Sequence, residues 1–338
     1  MPGTGVQGGA TDRDGLGRRT RGGGETTDSP FTAPTVNRKR SFKKALRRDW
    51  QLYVLALPAM VHLVLFAYVP MFGAIIAFRR FRPGGSLIGD EWVGFHFFEL
   101  AFSQPQFWQA FWNTVILGGL WFVIGFPLPI ILALLLNEVR ARKFKRFVQT
   151  ITYLPHFLSI VVVAGLVLQL TTRDGTVNQM LGWFGVDPII FMQHAEFFRP
   201  IWIISEAWQT VGWGTILYLA ALTTVDEQLY EAARIDGANR WRQTWHVTLP
   251  GIRPTIVVLM VLNIGTFMAV GFEKVLLLQN PLIYSTADVL STYLFRIGIG
   301  ASNFSLATAI GLFQSLIGLV LIVSANFVSR KLVGSSLW

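Results

Sequence analysis

The sequence predicts an all-α integral membrane protein with six transmembrane helices, and two observations support this fold class. The 338-residue chain is 52% hydrophobic and only 14% charged, whereas a soluble domain carries about 25% charged residues. Its apolar residues are gathered in blocks, each near or above the roughly 20 residues that a helical span requires. The predicted spans lie at about 51–78, 107–137, 148–170, 199–223, 254–279 and 304–329.

The distribution of basic residues predicts the orientation of these spans. The formal net charge is +10, and Lys and Arg are concentrated in the first 50 residues, at 140–146, at 224–253 and near the C-terminus. These segments all fall on one side of the predicted spans, so the positive-inside rule places both termini in the cytoplasm. A basic group on the predicted outer side departs from this pattern: Arg79, Arg80 and Arg82. The concentration of basic residues in alternate loops explains the net charge better than nucleic-acid binding does, and no nucleic-acid partner is expected.

The segment before the first span divides into two parts. Residues 1–40 are rich in Gly, Arg and Thr and have little apolar surface to bury, which predicts a disordered cytoplasmic tail. Within 41–50, Phe42, Leu46 and Trp50 recur every four residues with basic residues between them. This pattern predicts a short interfacial helix on anionic headgroups, with a solvated basic linker as the alternative. Residues 51–338 form the transmembrane domain.

The polar loop at 224–253 predicts two short helices. Thr224, with Glu three residues later, forms a capping box at the start of the first helix. Gly237 supplies the permissive position that ends this helix, Asn239 caps the second helix, and Pro250 is expected to stop it. One face of the first helix carries Leu229, Ala232, Ala233 and Asp236. Because two of these residues are alanines, another surface can approach the backbone closely.

Catalysis by this chain alone is not expected. The sequence contains no Walker phosphate loop and no Ser/His/Asp constellation, its five His residues are scattered, and it has no Cys for a thiolate metal site. Charges within spans indicate ion pathways, but Glu206, Glu273 and Lys274 lie near predicted span ends. Coupling to a partner is therefore favoured. A gradient-driven secondary transporter acting alone is the alternative, and a membrane enzyme or scaffold is disfavoured.

The same loop resembles a known signature. Glu231-Ala232-Ala233, Gly237 and Val247-Thr248-Leu249-Pro250 resemble the EAA motif of permease subunits of binding-protein-dependent ABC importers, with Val247 in place of the usual Ile. Further phrases are similar to the LplB-like branch of carbohydrate permeases, which is associated with oligosaccharides from complex polysaccharides. These phrases are LALLLNEVR (132–140), QTITYLPHF (149–157), WGTILYLAAL (213–222), YEAARIDGA (230–238) and the terminal SLW (336–338).

This resemblance implies a type I ABC importer permease fold and a multi-pass location in the cytoplasmic membrane of a prokaryote. Its transport cycle would be alternating access, driven by a cytoplasmic ATPase dimer that binds ATP and Mg; no cofactor is expected on this chain. A second, normally different, permease subunit, an extracytoplasmic sugar-binding protein and membrane lipid are the other expected partners. The resemblance to the EAA motif also implies that seven residues couple to the ATPase. They are Glu231, Ala232, Ala233, Asp236, Gly237, Leu249 and Pro250. Glu231 would contact a cationic group, the alanines would permit close approach, and Gly237 would shape the turn.

Aromatic and planar polar residues within the last three spans are candidates for a sugar pathway, because sugars stack on rings and exchange hydrogen bonds with amides. The candidates are Trp208, Gln209, Trp213, Tyr218, Asn263, Phe272 and Gln314. Trp208 and Trp213 have an alternative role as interfacial anchors. Asn263 and Gln314 have an alternative role as hydrogen-bonding groups between helices. Packing remains the alternative for each candidate.

Overall fold

A computed structural model describes residues 50–86 and 89–333. Three sequence-based predictions lie outside these residues. They concern the tail at 1–40, the interfacial helix at 41–50 apart from Trp50, and the terminal SLW at 336–338.

The chain divides into two compact units, Met1–His62 and Leu63–Trp338. The described part of the first unit is the beginning of helix α1 (Trp50–Phe78), which is long and apolar enough to cross a membrane. No residue between Trp50 and Met71 is buried. The apolar side chains of this helix therefore remain exposed over most of its length.

A π-turn carries α1 past a proline. At Val64–Tyr68 the hydrogen bonding lengthens by one residue, so that the Val69 N–H donates to the Val64 carbonyl. Pro70 follows directly and has no N–H to donate. The extra residue of the π-turn therefore falls where Pro70 cannot donate an α-helical hydrogen bond. The chain then stays helical through a 3₁₀ segment, Phe72–Phe78.

A small antiparallel ladder follows α1 and contains the only β-strands within the described residues. Strand β1 (Arg79–Arg80) pairs with β2 (Glu91–Trp92), with Arg79 opposite Trp92. The ladder is tied to the start of the last helix, because the Ser305 hydroxyl donates to the Arg79 carbonyl at 2.7 Å. Arg79 and Arg80, two of the three arginines that depart from the charge pattern, thus belong to this β-ladder. Helix α2 (His96–Ser103) comes next.

Within the described residues, four helical segments are long and apolar enough to cross a membrane. They are α1, the pair α3 (Pro105–Gly125) and α4 (Pro127–Glu138), α10 (Arg240–Gly265) and α14 (Phe304–Val333). A fifth segment is added if a bent pair counts as one span. Helix α8 (Ala195–Leu222) has 28 residues and is about 42 Å long, but it is less apolar than these.

The bent pair consists of α5 (Arg142–Tyr153) and α6 (Ile160–Leu170), which meet at 101° after a 3₁₀ turn at Leu154–Phe157. Gly212 of α8 packs at this corner, and a Cβ there would lie 2.0 Å from the Thr152 carbonyl oxygen. The neighbouring Gln209 amide donates to the Leu158 carbonyl at 3.4 Å. Helix α8 therefore satisfies a backbone group that the bend leaves free.

Helix α10 differs from the predicted fifth span at 254–279. It is helical from Arg240 to Gly265, without a break at Pro250. A π-turn at Thr244–Thr248 directs the Leu249 N–H to the Thr244 carbonyl, the same arrangement as before Pro70. The prediction that Pro250 ends the helix is wrong, because the π-turn changes register where the proline removes a donor.

The far end of α10 is also shorter than predicted. After Gly265 the chain forms a 3₁₀ turn, Phe267–Ala269, and then passes through Gly271 in the left-handed conformation (φ +56) before α11 (Phe272–Leu278). A Cβ at Gly271 would lie 2.5 Å from the indole of Trp202. Glycine is required here both by the backbone angle and by this contact.

The remaining helices are short. They are α7 (Thr176–Gly182), α9 (Glu227–Ile235), α12 (Tyr284–Ala287) and α13 (Leu290–Phe295).

The buried side chains form three clusters. The first joins α2, α3, α13 and α14 and includes Phe97, Phe107, Leu290, Tyr293 and Ile310. The second lies between α3, α6, α8 and α11 and includes Leu117, Ala164, Phe198, Trp202 and Val275. The third joins α4, α8 and α10 and includes Ala133, Tyr218, Leu222 and Ile252. Both α8 and α10 thus pack between other helices.

Candidate functional site

The loop between α8 and α10 begins with a capped helix, α9. The Asp226 carboxylate accepts the backbone N–H of Gln228 at 2.9 Å and forms the N-cap. The prediction of Thr224 as the cap is wrong. Its hydroxyl instead donates to the Ala221 carbonyl, at the end of α8. Asp226 is two residues nearer the first turn of α9, so its carboxylate reaches the free N–H groups.

The turn after α9 confirms two predictions. Gly237 has a φ of +76 and its N–H donates to Arg234, while the Ala238 N–H donates to Ala233 at 2.8 Å. This pair of bonds is a Schellman motif, with glycine at the left-handed position. Asn239 then accepts the Arg242 N–H at 2.9 Å and caps α10.

Helix α9, the turn at Gly237 and the start of α10 form a helical hairpin, residues 226–248. Three contacts fix this hairpin to the long helices. The Tyr230 hydroxyl donates to the Thr248 hydroxyl at 3.0 Å, and Arg240 pairs with Glu138 at the end of α4 at 2.9 Å. Val225 lies against Gly251, where a Cβ would be 2.8 Å from a Val225 methyl carbon. Between these contacts lies an open cleft of about 1030 Å³. Its charged lining consists of Glu138, Arg140, Glu227, Glu231, Arg234 and Arg240.

The seven coupling candidates lie on two elements. Five are on α9 and its turn, where Glu231, Ala232, Asp236 and Gly237 are exposed and Ala233 is half-buried. Leu249 and Pro250 are on α10, beyond the π-turn, with Leu249 half-buried and Pro250 exposed.

The hairpin also exposes large apolar side chains that sequence reasoning missed. They are Ile235, Trp241 and Trp245, of which Ile235 is 87% exposed, and they add to Leu229, which was already placed on the exposed helix face. The sequence signal that could have revealed this apolar surface was the pair Trp241 and Trp245, four residues apart in a basic loop.

A second site surrounds the irregular segment after α10. A cavity of about 150 Å³ lies between α3, α8 and residues 263–271. Its lining is Gly118, Trp121, Phe122, Trp202, Glu206, Asn263, Thr266, Phe267, Ala269, Val270 and Gly271. Gly118 permits the close approach of α3, because a Cβ there would lie 2.9 Å from the Phe267 carbonyl oxygen. Aromatic rings, a carboxylate and amide groups therefore meet in one place.

A buried ion pair reaches this cavity through its carboxylate, Glu206. Lys274 Nζ lies 2.5 Å from Glu206 Oε2, and the lysine side chain is 1% exposed against 20% for the glutamate. The pair joins α8 to α11 across 68 residues of sequence, so no local pattern could reveal it. Next to it, the Trp202 indole N–H is buried with no hydrogen-bond partner in the described part of the chain.

Three of the seven pathway candidates lie around the irregular segment. Asn263 lines the cavity while its amide donates to the Leu259 carbonyl at 2.8 Å. The Gln314 amide donates to the Met268 carbonyl in the 3₁₀ turn. The Phe272 ring packs 5.6 Å from the ring of Phe295.

The other four candidates lie elsewhere. Gln209 and Trp213 are at the α5–α6 corner, where the Trp213 ring stacks on His156 at 4.5 Å. Tyr218 is buried in the third cluster. Trp208 is exposed and borders an apolar groove between α6 and α8. The structure thus does not bring the seven residues into one site.

Long apolar helices surround a small polar cavity, and a helical hairpin is fixed at their end. These features indicate a component of a membrane transport system with several membrane-spanning helices. Residues 125–334 match the model of the binding-protein-dependent transport system inner membrane component family. The chain belongs to this family.

Relatives are similar over most of the chain. Protein LplB of Bacillus subtilis (strain 168) is 43% identical over 310 residues, covering 91% of this chain and 98% of the relative. The polygalacturonan/rhamnogalacturonan transport system permease protein YteP of the same organism is 45% identical over 295 residues, covering 87% and 92%.

A solved structure has a closely similar fold. It is a bacterial ABC transporter involved in the import of the acidic polysaccharide alginate. One of its chains matches with a TM-score of 0.81 and 44% identity, covering 86% of this chain and 99% of that one.

Proposed function

We propose that this chain is the permease subunit of an ATP-driven importer that carries oligosaccharides across the cytoplasmic membrane by alternating access. The observation that carries this proposal is the continuity of α10. One 26-residue helix begins in the hairpin with the EAA motif and ends at the polar cavity. The relative YteP, named for polygalacturonan/rhamnogalacturonan transport, and the transporter of alginate support a saccharide as the substrate class.

Six crossings with both termini inside fit this function. They are α1, α3–α4, the bent α5–α6 pair, α8, α10 and α14. Helix α8 is long enough for a 30 Å hydrocarbon core, and two of its charged residues have partners. Glu206 is paired with Lys274, and Arg199 donates to the Asn113 side chain at 2.9 Å.

The hairpin is the proposed docking site for a cytoplasmic ATPase, which would bind ATP and Mg²⁺ itself. Exposed Glu231 is available to a cationic group, and exposed Ile235 and Trp241 add apolar surface that a partner would cover. The Schellman turn and the Tyr230–Thr248 hydrogen bond hold α9 against α10. A displacement of the hairpin is thereby passed to α10 instead of being lost in loop motion.

The cavity is the proposed part of the sugar pathway. Trp121, Phe122 and Trp202 supply ring surface, and Asn263 and Glu206 supply polar groups. Its volume of about 150 Å³ is below the roughly 300–1,000 Å³ of typical ligand sites. Oligosaccharide passage therefore requires it to widen, and the irregular stretch at 266–271, which interrupts the α-helical structure, is the wall that can rearrange.

Other partners complete the proposed assembly. The exposed apolar surface of α1 suits a second, different permease subunit or lipid. An extracytoplasmic sugar-binding protein would deliver the substrate. The alginate transporter has been solved in complex with a periplasmic protein that holds an alginate pentasaccharide.

The test is uptake by the complete complex in vesicles, with binding protein outside and ATP inside. Gly237→Asp is expected to leave membrane insertion intact while abolishing uptake and co-purification of the ATPase. Gly185→Asp is the matched control, because Gly185 also has a positive φ and open space around it but lies outside the hairpin. Normal ATPase co-purification with Gly237→Asp would contradict the docking site.

A second variant tests the pathway separately. Asn263→Leu is expected to abolish uptake while ATPase docking stays normal, and unchanged uptake would remove this residue from the pathway. Uptake by this chain alone, without ATP, would instead establish the gradient-driven alternative.

A further inference from the structure

The Trp202 indole carries a buried N–H group that the fold does not pair. The Trp202 side chain is 1% exposed. Its Nε1 atom is buried and has no hydrogen-bond partner among the described residues. Unpaired buried donors are rare in folded proteins, and they destabilise the conformation that contains them. A conformation that gives this N–H a partner would therefore be favoured over the present one.

The irregular segment after α10 covers this N–H. Gly271 lies directly against the indole, because a Cβ built there would be 2.9 Å from Nε1 and 2.5 Å from the ring carbon Cζ2. Gly271 also lines the cavity, together with its neighbours Ala269 and Val270. The backbone that forms one wall of the cavity is thus the backbone that covers the donor. Moving this segment away from the indole would widen the cavity and uncover the N–H in a single step.

A hydrogen-bond acceptor lies one helical turn from Trp202. Glu206 follows it by four residues on α8, so both side chains project from one helical face, and both line the cavity. Lys274 occupies one carboxylate oxygen, Oε2. Among the described residues that line the cavity, Glu206 is the only charged one. The ion pair therefore presents its negative end to the cavity and keeps its positive end buried.

We propose that Trp202 and Glu206 form a binding site for one uncharged sugar unit, and that the site opens when the segment at 266–271 moves away from the indole. The N–H then donates to one sugar hydroxyl, and a second hydroxyl donates to the Glu206 carboxylate. An anionic group such as the carboxylate of a uronate is disfavoured, because it would meet a like charge in a partly dehydrated cavity. This proposal rests on the sugar pathway proposed above and specifies what the cavity accepts.

The covered donor also accounts for the coupling of sugar binding to widening. A ligand shifts a conformational equilibrium only through interactions that differ between the two states. The N–H of Trp202 has no partner in the narrow cavity and gains one from the sugar in the widened cavity. This hydrogen bond is available in the widened state alone, so bound sugar favours that state.

An isosteric replacement removes the donor and keeps the ring. In Trp202→3-benzothienylalanine, a sulfur atom takes the place of the N–H. We expect the melting temperature of the sugar-free complex in nanodiscs to rise by about 1–4 °C, because the unpaired donor is gone. The same replacement at Trp112, which is exposed on α3 outside the cavity, is the control and should leave it unchanged. An unchanged or lower melting temperature in the Trp202 variant would show that the N–H is already paired by water, and would overturn the proposal.

A matched pair of saccharides tests the preference for an uncharged unit. Trigalacturonate and its methyl ester have the same linkage, and only the first is anionic. Their binding to the complete complex without the sugar-binding protein is measured from the rise in melting temperature. We expect the ester to bind about tenfold more tightly. The Trp202 variant should bind the ester about 2- to 10-fold more weakly than the parent.

A charge-free variant shows whether the preference arises at this site. Glu206→Gln/Lys274→Met removes both charges, so the two saccharides should bind equally to it. Equal binding of both to the parent would refute the charge preference, and binding of neither would refute the site. ATP-driven uptake and ATPase co-purification by the parent complex test the importer itself. Failure of this site is therefore distinguishable from failure of the proposed function.

Discussion

The buried Glu206–Lys274 pair gives the strongest prediction about stability. Glu206→Gln removes the carboxylate and leaves an ammonium group whose side chain is 1% exposed. Removing one partner of a buried pair costs about 3–5 kcal/mol, because the remaining charge has neither water nor a counter-ion. Since Glu206 is 20% exposed, we expect the lower end of that range, about 3 kcal/mol.

Lys274→Met should cost less than Glu206→Gln. The remaining carboxylate is the more exposed partner, so water entering the cavity can hydrate it, and we expect a loss of about 1–3 kcal/mol. The double variant removes both charges and should be more stable than the sum of the single effects predicts. The interaction free energy from this double-mutant cycle should then reach about 2–3 kcal/mol.

Thermal unfolding of the purified complex in nanodiscs measures these effects. A loss of 1 kcal/mol lowers the melting temperature by about 2–4 °C for chains of about 150–250 residues and by less for longer ones, so Glu206→Gln should lower it by no more than about 6–12 °C. Sugar uptake by the double variant then separates stability from transport, since lost uptake with restored stability would place the Glu206–Lys274 pair in the pathway. A melting temperature unchanged in Glu206→Gln, or lowered more by Lys274→Met, would refute the reasoning.

Two further predictions concern the contacts of α8 and α9. Gly212→Ala should cost about 1–3 kcal/mol because its Cβ would lie 2.0 Å from the Thr152 carbonyl oxygen, whereas Gly165→Ala, with nothing within 4 Å, should be tolerated; melting temperatures of the two variants provide the comparison. Asp226→Ala should destabilise the start of α9 by about 1 kcal/mol through loss of its cap, and Thr224→Ala should not. Amide hydrogen exchange of 227–235 measures this difference, and equal exchange in the two variants would contradict the capping assignment.

The helical hairpin formed by α9 and the start of α10 was predictable because its signals are local. Gly237 and Asn239 act on backbone groups within five residues, so their residue types alone indicate where a helix ends and the next begins. The same locality explains the error at Thr224, since two residues near the helix start had oxygen atoms able to cap it. Only the path of the chain decides which of them reaches the free N–H groups.

The cavity was not predictable because its members meet across long separations. Glu206 and Lys274 are 68 residues apart, and each alone resembles an interfacial charge. Gln209 and Gln314 were expected to face a sugar, yet their amides donate to the carbonyls of Leu158 and Met268, where the α-helices are interrupted. Polar side chains inside a membrane domain must first satisfy freed backbone groups. Their roles therefore depend on where helices break, which hydropathy does not reveal.

The continuity of α10 changes how the hairpin relates to the cavity. A helix stopped by Pro250 would leave a flexible joint between the EAA motif and the fifth span, and motion of the hairpin would be absorbed there. The π-turn at Thr244–Thr248 removes this joint by keeping the chain helical through the proline. Arg240, paired with Glu138, and Asn263, at the cavity, therefore lie about 35 Å apart on one helix. We therefore expect a shift or tilt of the hairpin to displace the cavity wall through this helix, without a chain of intermediate side-chain contacts.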